Sequence, residues 1–356
     1  VRIQDGALRD LGGPDALTVH EYPTTGGITL VLEQEVLVNA PFDEPYCAES
    51  PLRLSGSEGR FELRLDGLVI PVQDTLPLPG YLNAVDGSGR AVDDVAMSHG
   101  DRIRLSPIEG CAFDCSFCDM GGRYVPRSPE RIVAALEVAL DDLALPARHV
   151  LISGGSPGWA AAEQDYFREV CVAVIDRARE LSATKDAPLT VDLMMSARKD
   201  GPKFVDRMVE AGVHGFSFNL EVFSEESARN HLGRKHKSAR PLLAPMVERA
   251  VEAFGRGSGR VRSLIIPGLE SPEQTLEGVD WLASMGCDPV LSPFRPARGT
   301  ALAAARTTEP ELLDEVLVRS REIVRGHGVG LGPRCVPCQH NTLSFPWDVV
   351  EAADCL

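Results

Sequence analysis

No apolar run in the 356 residues approaches the ~18 needed to cross a bilayer, so a membrane-spanning helix is excluded as a reading. The opening VRIQDGALRDLGG lacks the charged, apolar and small-residue order of a secretory signal, so a cytoplasmic location is expected. Basic residues are also in deficit: 36 Lys and Arg stand against 52 Asp and Glu, a net charge of −16. A surface that acidic repels phosphate backbones and anionic lipid, so neither nucleic acid nor a membrane is expected as a partner. No tandem repeat or low-complexity tract interrupts the chain. What is present is ordinary globular material, 44% hydrophobic and 25% charged, enough to bury a large core without covalent staples.

The unusual feature is cysteine. Nine are present, and in a cytoplasmic chain they read as metal ligands, nucleophiles or core residues rather than disulfides. Cys111, Cys115 and Cys118 crowd into eight residues, and Cys335, Cys338 and Cys355 lie in the last 22. Cys47, Cys171 and Cys287 are scattered, the last two within helical patterns that imply core positions.

Residues 1–98 read as a β-rich domain, with alternating stretches at 28–40 and 60–72 bounded by turn residues. From residue 99 the pattern changes. Short apolar strands at 102–106, 149–153, 189–195, 215–220, 261–266 and 289–293 alternate with amphipathic helices. Six such units with right-handed crossovers predict an α/β fold, a partial (β/α)6 TIM-like barrel over 99–308. A helix and a carboxyl-terminal cluster-binding segment should follow over 309–356. In such an array the loops after the strand carboxyl ends form the working face.

EGCAFDCSFCDMGG sets Cys111, Cys115 and Cys118 on the first of these loops. Three thiolates select an iron–sulfur cluster, zinc or cuprous copper, and no fourth Cys or His follows within 30 residues to complete a structural zinc site. Cys-x3-Cys-x-Phe-Cys at this place resembles the radical SAM superfamily. That resemblance implies that the three cysteines hold a [4Fe–4S] cluster whose open iron chelates S-adenosylmethionine (SAM). Reductive cleavage of SAM would then give a 5′-deoxyadenosyl radical that abstracts hydrogen from substrate. It also implies an external electron donor such as flavodoxin or ferredoxin.

Further stretches match the family in order. Ser153-Gly154-Gly155-Ser156-Pro157 resembles the glycine-rich segment at the SAM amino group, and Phe117 belongs to the cysteine motif itself. Asn219 and Glu221 resemble the pair that lipoyl synthase and biotin synthase place near the SAM ribose. Residues 265–270, with Pro267, resemble the segment beside adenine. Taken singly, Gly-Gly-Ser-Pro is a turn and Asn219 or Glu221 a cap; their order at successive strand ends carries the likeness. Arg234, Lys235, His236 and Arg240 form the one strongly basic concentration, read either as an anion site, with Arg234 toward the SAM carboxylate, or as a solvated loop.

Cys335-x2-Cys338, with Cys355 after sixteen intervening residues, reads as an auxiliary [4Fe–4S] cluster, with zinc and a redox dithiol as alternatives. The spacing resembles the open auxiliary cluster of the molybdenum-cofactor radical SAM enzyme and differs from the seven-cysteine SPASM pattern. Cys47 or Ser344 is a candidate further ligand. The expected function is a radical SAM enzyme acting on a small polar metabolite, with sulfur donation from the second cluster favoured. Oxidation or rearrangement of an anionic metabolite, with that cluster as electron conduit, is the alternative. A two-cluster electron carrier is the reading from another class.

Overall fold

The computed structural model describes residues 2–4, 7, 10–11, 27–42, 44–183 and 188–349. Its centre is a seven-stranded sheet. Six strands run parallel in sequence order: β1 (Arg102–Leu105), β2 (His149–Ile152), β3 (Thr190–Met195), β4 (Gly215–Phe218), β5 (Val261–Ile265) and β6 (Asp288–Leu291). A seventh, Ala96–His99, pairs antiparallel with β1. The sheet does not close, because β6 and Ala96–His99 occupy opposite edges. The six apolar stretches identified in the sequence are these six strands, and the fold is the partial barrel they predict.

Helices α1 (Pro129–Leu140), α2 (Ala161–Ser182), α3 (Gly201–Ala211), α4 (Ala239–Phe254), α5 (Pro272–Ser284) and α6 (Pro310–His327) cover the outside. Their ends follow local chemistry. Ser128 Oγ accepts from Arg131 N at the start of α1, and Ser271 and Gln274 form a reciprocal capping pair on α5. Gly212 ends α3 in the left-handed region that a side chain would disfavour.

Strand parity decides what faces the helices and what faces inward. Ile103, Leu105, Val150, Ile152, Leu193 and Phe216 are fully buried in the main core. Their neighbours Arg102, Leu151, Ser153, Met194, Ser217 and Arg262 line an interior cavity instead. This inner face, mixing charged and polar groups with apolar ones, surrounds a cavity rather than a filled core.

Before the barrel, Arg53–Ser57, Arg60–Leu65 and Leu68–Val72 form an antiparallel meander, with Arg2–Ile3 added in parallel. Ile28–Val31, Leu37–Ala40 and Asp74–Thr75 make a second small sheet. Ala7, Ile28, Leu30, Ala40, Leu54 and Leu63 form a satellite core there. After α6 the chain returns along β6: Gly332 N donates to Pro289 O at 2.7 Å and Leu343 N to Leu291 O at 2.7 Å. The small sheet braces this return, since Asn39 N donates to His340 O at 2.8 Å.

Candidate functional site

The loop after β1 is tied off before it reaches the cysteines. Ile108–Gly110 pairs antiparallel with Tyr124–Pro126, and Cys111 N donates to Arg123 O at 2.6 Å. Residues 111–123 thus form a closed excursion at the carboxyl end of the sheet. Gly110 has φ +78°, and a Cβ there would lie 2.0 Å from Arg123 O, so the tie requires glycine.

The glycine-rich segment after β2 packs directly on this excursion. A Cβ at Gly155 would stand 1.7 Å from Gly110 O. Ser156 N donates to Cys111 Sγ at 3.3 Å, Ala112 N to Ser156 O at 3.1 Å, and Phe113 N to Cys111 Sγ at 3.4 Å. Cys115 and Phe117 pack in an apolar group with Val222, Leu232, Leu269 and Phe294. Burial, with Glu221 adding to it, pushes the Cys115 thiol far above its ordinary range; burial also raises Cys118 to about 11. Thiols so raised bind a metal only by giving up their protons to it.

Glu221 sits just past β4 with φ +70°, pinned because its backbone N donates to Leu264 O and its O accepts from Ile266 N. Its carboxylate is buried against Lys235 Nζ. Burial alone would lower Lys235, but Glu221 and then Cys115 outweigh it and raise the ammonium. Asn219 faces the same cavity, and among the described residues its buried Oδ1 has no hydrogen-bond partner.

The cavity of about 270 Å³ runs through the barrel. At the carboxyl end it touches Phe117, Cys118, Gly154, Ser156, Asn219 and Glu221. At the amino end it reaches Arg102, His149, Arg262, Cys335 and Cys338. The two cysteine groups therefore lie at opposite ends of one chamber. Cys335 and Cys338 have sulfurs 2.8 Å apart, one thiol donating to the other, and Arg102 Nη1 donates to Cys338 Sγ at 3.5 Å.

Several expected residues stand elsewhere. Arg234 does not line the cavity: it donates through Nη2 to Ala112 O and through its backbone N to Asp114 Oδ1, leaving its side chain largely exposed. The helical turn Gly233–Ser238 turns Lys235 inward in its place. His236 Nδ1 engages Gly233 O, and Arg240 lies over the Phe223 ring at 4.6 Å. Pro267 opens onto a neighbouring pocket, while Ile266 lines the chamber. Cys47 donates to Pro41 O, and Ser344 is hydrogen-bonded to Thr342 Oγ1 at 2.6 Å, so neither joins the Cys335–Cys338 pair. Cys355 lies outside the described residues. Cys171 and Cys287 are fully buried in the core.

His149, Arg102, Arg262 and Arg295 were not singled out from the sequence. Three of them were detectable as polar residues on one parity of otherwise apolar strands.

The comparisons agree with this geometry. The model of the Radical SAM superfamily matches residues 105–292, more than half of the chain. Among the curated proteins nothing matches. A solved [FeFe]-hydrogenase maturase, HydG, superposes with a TM-score of 0.50 at 15% identity, covering 65% of this chain and 52% of that one. A HydG from Carboxydothermus hydrogenoformans gives 0.49 at 17%, covering 64% and 52%. A radical SAM methyltransferase from Sphaerobacter thermophilus gives 0.47 at 17%, covering 82% and 80%. The chain thus spans about half the length of the two maturases, and at these identities the likeness is one of fold. With the family model covering all six barrel strands except the first residues of β1, the chain belongs to the radical SAM superfamily.

Proposed function

We propose that this chain is a SAM-dependent radical enzyme whose substrate is a small polar metabolite seated between two cysteine-ligated centres. The single observation that carries the reading is the chamber with Cys118 at one end and Cys335 and Cys338 at the other. The family's cofactors, a [4Fe–4S] cluster and SAM, supply an organic radical that takes a hydrogen atom from substrate.

The residues at the carboxyl end fit that pair of cofactors. Cys111, Cys115 and Cys118 offer three thiolates from one closed loop, and Ser156 N and Phe113 N donate to Cys111 Sγ. Gly154 and Gly155 keep side chains out of the way where backbone must approach both the cysteine loop and a ligand. Asn219 Oδ1 is a buried acceptor awaiting a donor, of the kind a ribose hydroxyl provides. Glu221 is a second acceptor, paired with the buried Lys235, and Phe117 forms the apolar wall that keeps water away from the reacting centre.

At the amino end, Arg102 and Arg262 line the chamber, with Arg295 on its wall beyond β6, and these basic groups favour an anionic substrate. A chamber of about 270 Å³ suits a metabolite rather than a polypeptide segment. Cys335 and Cys338 would hold an auxiliary [4Fe–4S] cluster in contact with that substrate. Sulfur donation to form a carbon–sulfur bond is the favoured reaction, supported by the strand-end likeness of Asn219 and Glu221 to lipoyl and biotin synthases. Oxidation or rearrangement with the second centre as electron conduit is the alternative, favoured by the arginine-lined end. The external reductant would be a flavodoxin or ferredoxin.

The test is an anaerobic reaction of protein whose clusters are rebuilt with heavy sulfide, reduced and supplied with candidate anionic metabolites. Sulfur insertion predicts heavy sulfur in the product and about one turnover per chain. Continued turnover with no new sulfur would replace it with the electron-conduit reading. Absence of 5′-deoxyadenosine under all conditions would remove both.

A further inference from the structure

The second cysteine pair does not stand alone. Strand β2 begins at His149, and its parity turns the imidazole into the chamber with Leu151 and Ser153. His149 Nδ1 lies 3.9 Å from Cys338 Sγ. One ligand atom from each of His149, Cys335 and Cys338 can be chosen so that all lie within 4.8 Å of one another. Two thiolates and an imidazole suit zinc or the iron of a cluster, and suit magnesium or calcium poorly.

The far side of the ring is also organised. His149 Nε2 stands 3.3 Å from Asp192 Oδ2 on β3. Asp192 is buried and is held in turn by Arg262 and by His214, whose Nδ1 is 3.1 Å from Oδ1. Nε2 makes no hydrogen bond there, but its approach to the buried carboxylate leaves the other ring nitrogen, Nδ1, facing the thiols. A histidine that only filled space in a barrel wall would not need a buried carboxylate that is itself held by Arg262 and His214.

We propose that His149 is the third protein ligand of the metal centre held by Cys335 and Cys338, oriented by Asp192, with the remaining coordination directed into the substrate chamber. This rests on the reading that the two cysteines hold a metal. Loading would displace the thiol protons and leave the imidazole neutral through Nδ1. The close convergence of the three donors suits one ion; binding separate irons of a cluster requires the thiols to rotate apart, and the experiment separates these cases.

The full chain is expressed with all histidines labelled with nitrogen-15, purified anaerobically with iron supplied, and analysed for iron and zinc. The same is done in the Cys111→Ala/Cys115→Ala/Cys118→Ala background, where any remaining centre is the second one. For an iron centre, pulsed electron paramagnetic resonance of the reduced protein should show imidazole nitrogen coupling that changes with the isotope. His149→Cys should keep the metal and lose that coupling, and His149→Ala should lose metal to a chelator at least ~10-fold faster. For zinc, X-ray absorption should show one nitrogen at about 2.0–2.1 Å beside sulfurs at about 2.3 Å, a result that supports His149 while replacing the iron–sulfur composition.

A loaded centre with no imidazole nitrogen, or with coupling unchanged in His149→Cys, overturns the assignment and leaves the metal reading standing. A protein that forms 5′-deoxyadenosine yet holds no metal at Cys335 and Cys338 overturns both, and a reversible disulfide there would identify the pair as a dithiol.

Discussion

Gly100 and Pro337 meet across the base of the barrel so closely that a Cβ on the glycine would lie 2.8 Å from the proline Cγ. Gly100 holds φ +57° in the turn between the antiparallel edge strand and β1. The proline sits between Cys335 and Cys338, so this contact sets how deep the CVPC loop is seated.

Gly100→Ala should therefore lift that loop and lower metal content at the second centre, at a cost of about 1–3 kcal/mol from the backbone alone. The first cysteine group lies at the other end of the chamber. Formation of 5′-deoxyadenosine by reduced protein should persist, and loss of both together would show that the variant is globally damaged.

Asn219→Ala removes the partnerless acceptor near the first site. SAM affinity, measured by equilibrium binding to reconstituted protein, should fall roughly 2- to 100-fold, the range of one hydrogen bond to a buried group. Iron at the first site should be unchanged. Equal affinity in wild type and variant would reduce Asn219 to a strand-end residue.

Lys235→Met leaves Glu221 buried without its cation and should destabilise the fold by about 3–5 kcal/mol in urea unfolding. Adding Glu221→Gln should recover much of that loss, because no unpaired charge then remains. The double variant should still bind SAM weakly, since Glu221 also faces the chamber.

His99 joins the amino-terminal sheet to the barrel, its Nε2 lying 2.8 Å from Thr29 Oγ1. Burial first, and His340 beside it, hold its pKa well below 6.5. The unfolded chain thus binds a proton that the folded chain refuses. Stability from this group is complete above about pH 6.5 and declines as pH falls below it, by at most about 1.4 kcal/mol per pH unit. Unfolding at pH 5.5 and 7.5 should show a smaller difference for His99→Asn than for wild type.

The barrel was legible because each strand buried against helices must be a short apolar run, and each run is bounded by a helix pattern. The cysteine loop was legible because its three thiols crowd into eight residues at one strand end. Parity was harder to read. Ile266 rather than Pro267 lines the chamber, and Lys235 rather than Arg234 pairs with the chamber residue Glu221, because adjacent residues of a strand or tight turn point in opposed directions. His149 was hidden for another reason. Its partners arrive from a loop that returns after α6, and no local pattern at HVLIS announces a contact with Cys338. Cys47 illustrates the converse: its region does fold toward the barrel, yet its thiol turns to Pro41 O.

The return of the chain along β6 has a consequence for biogenesis. The segment that carries Cys335 and Cys338 docks by pairing with β6 through Gly332 and Leu343 and by taking support from Asn39. Both β6 and its docking partner are late products of translation, whereas the loop of Cys111, Cys115 and Cys118 emerges early. The two cysteine groups therefore come together in a fixed succession. The first is formed while the chamber is still open at its base, and the second only once the returning segment has sealed it.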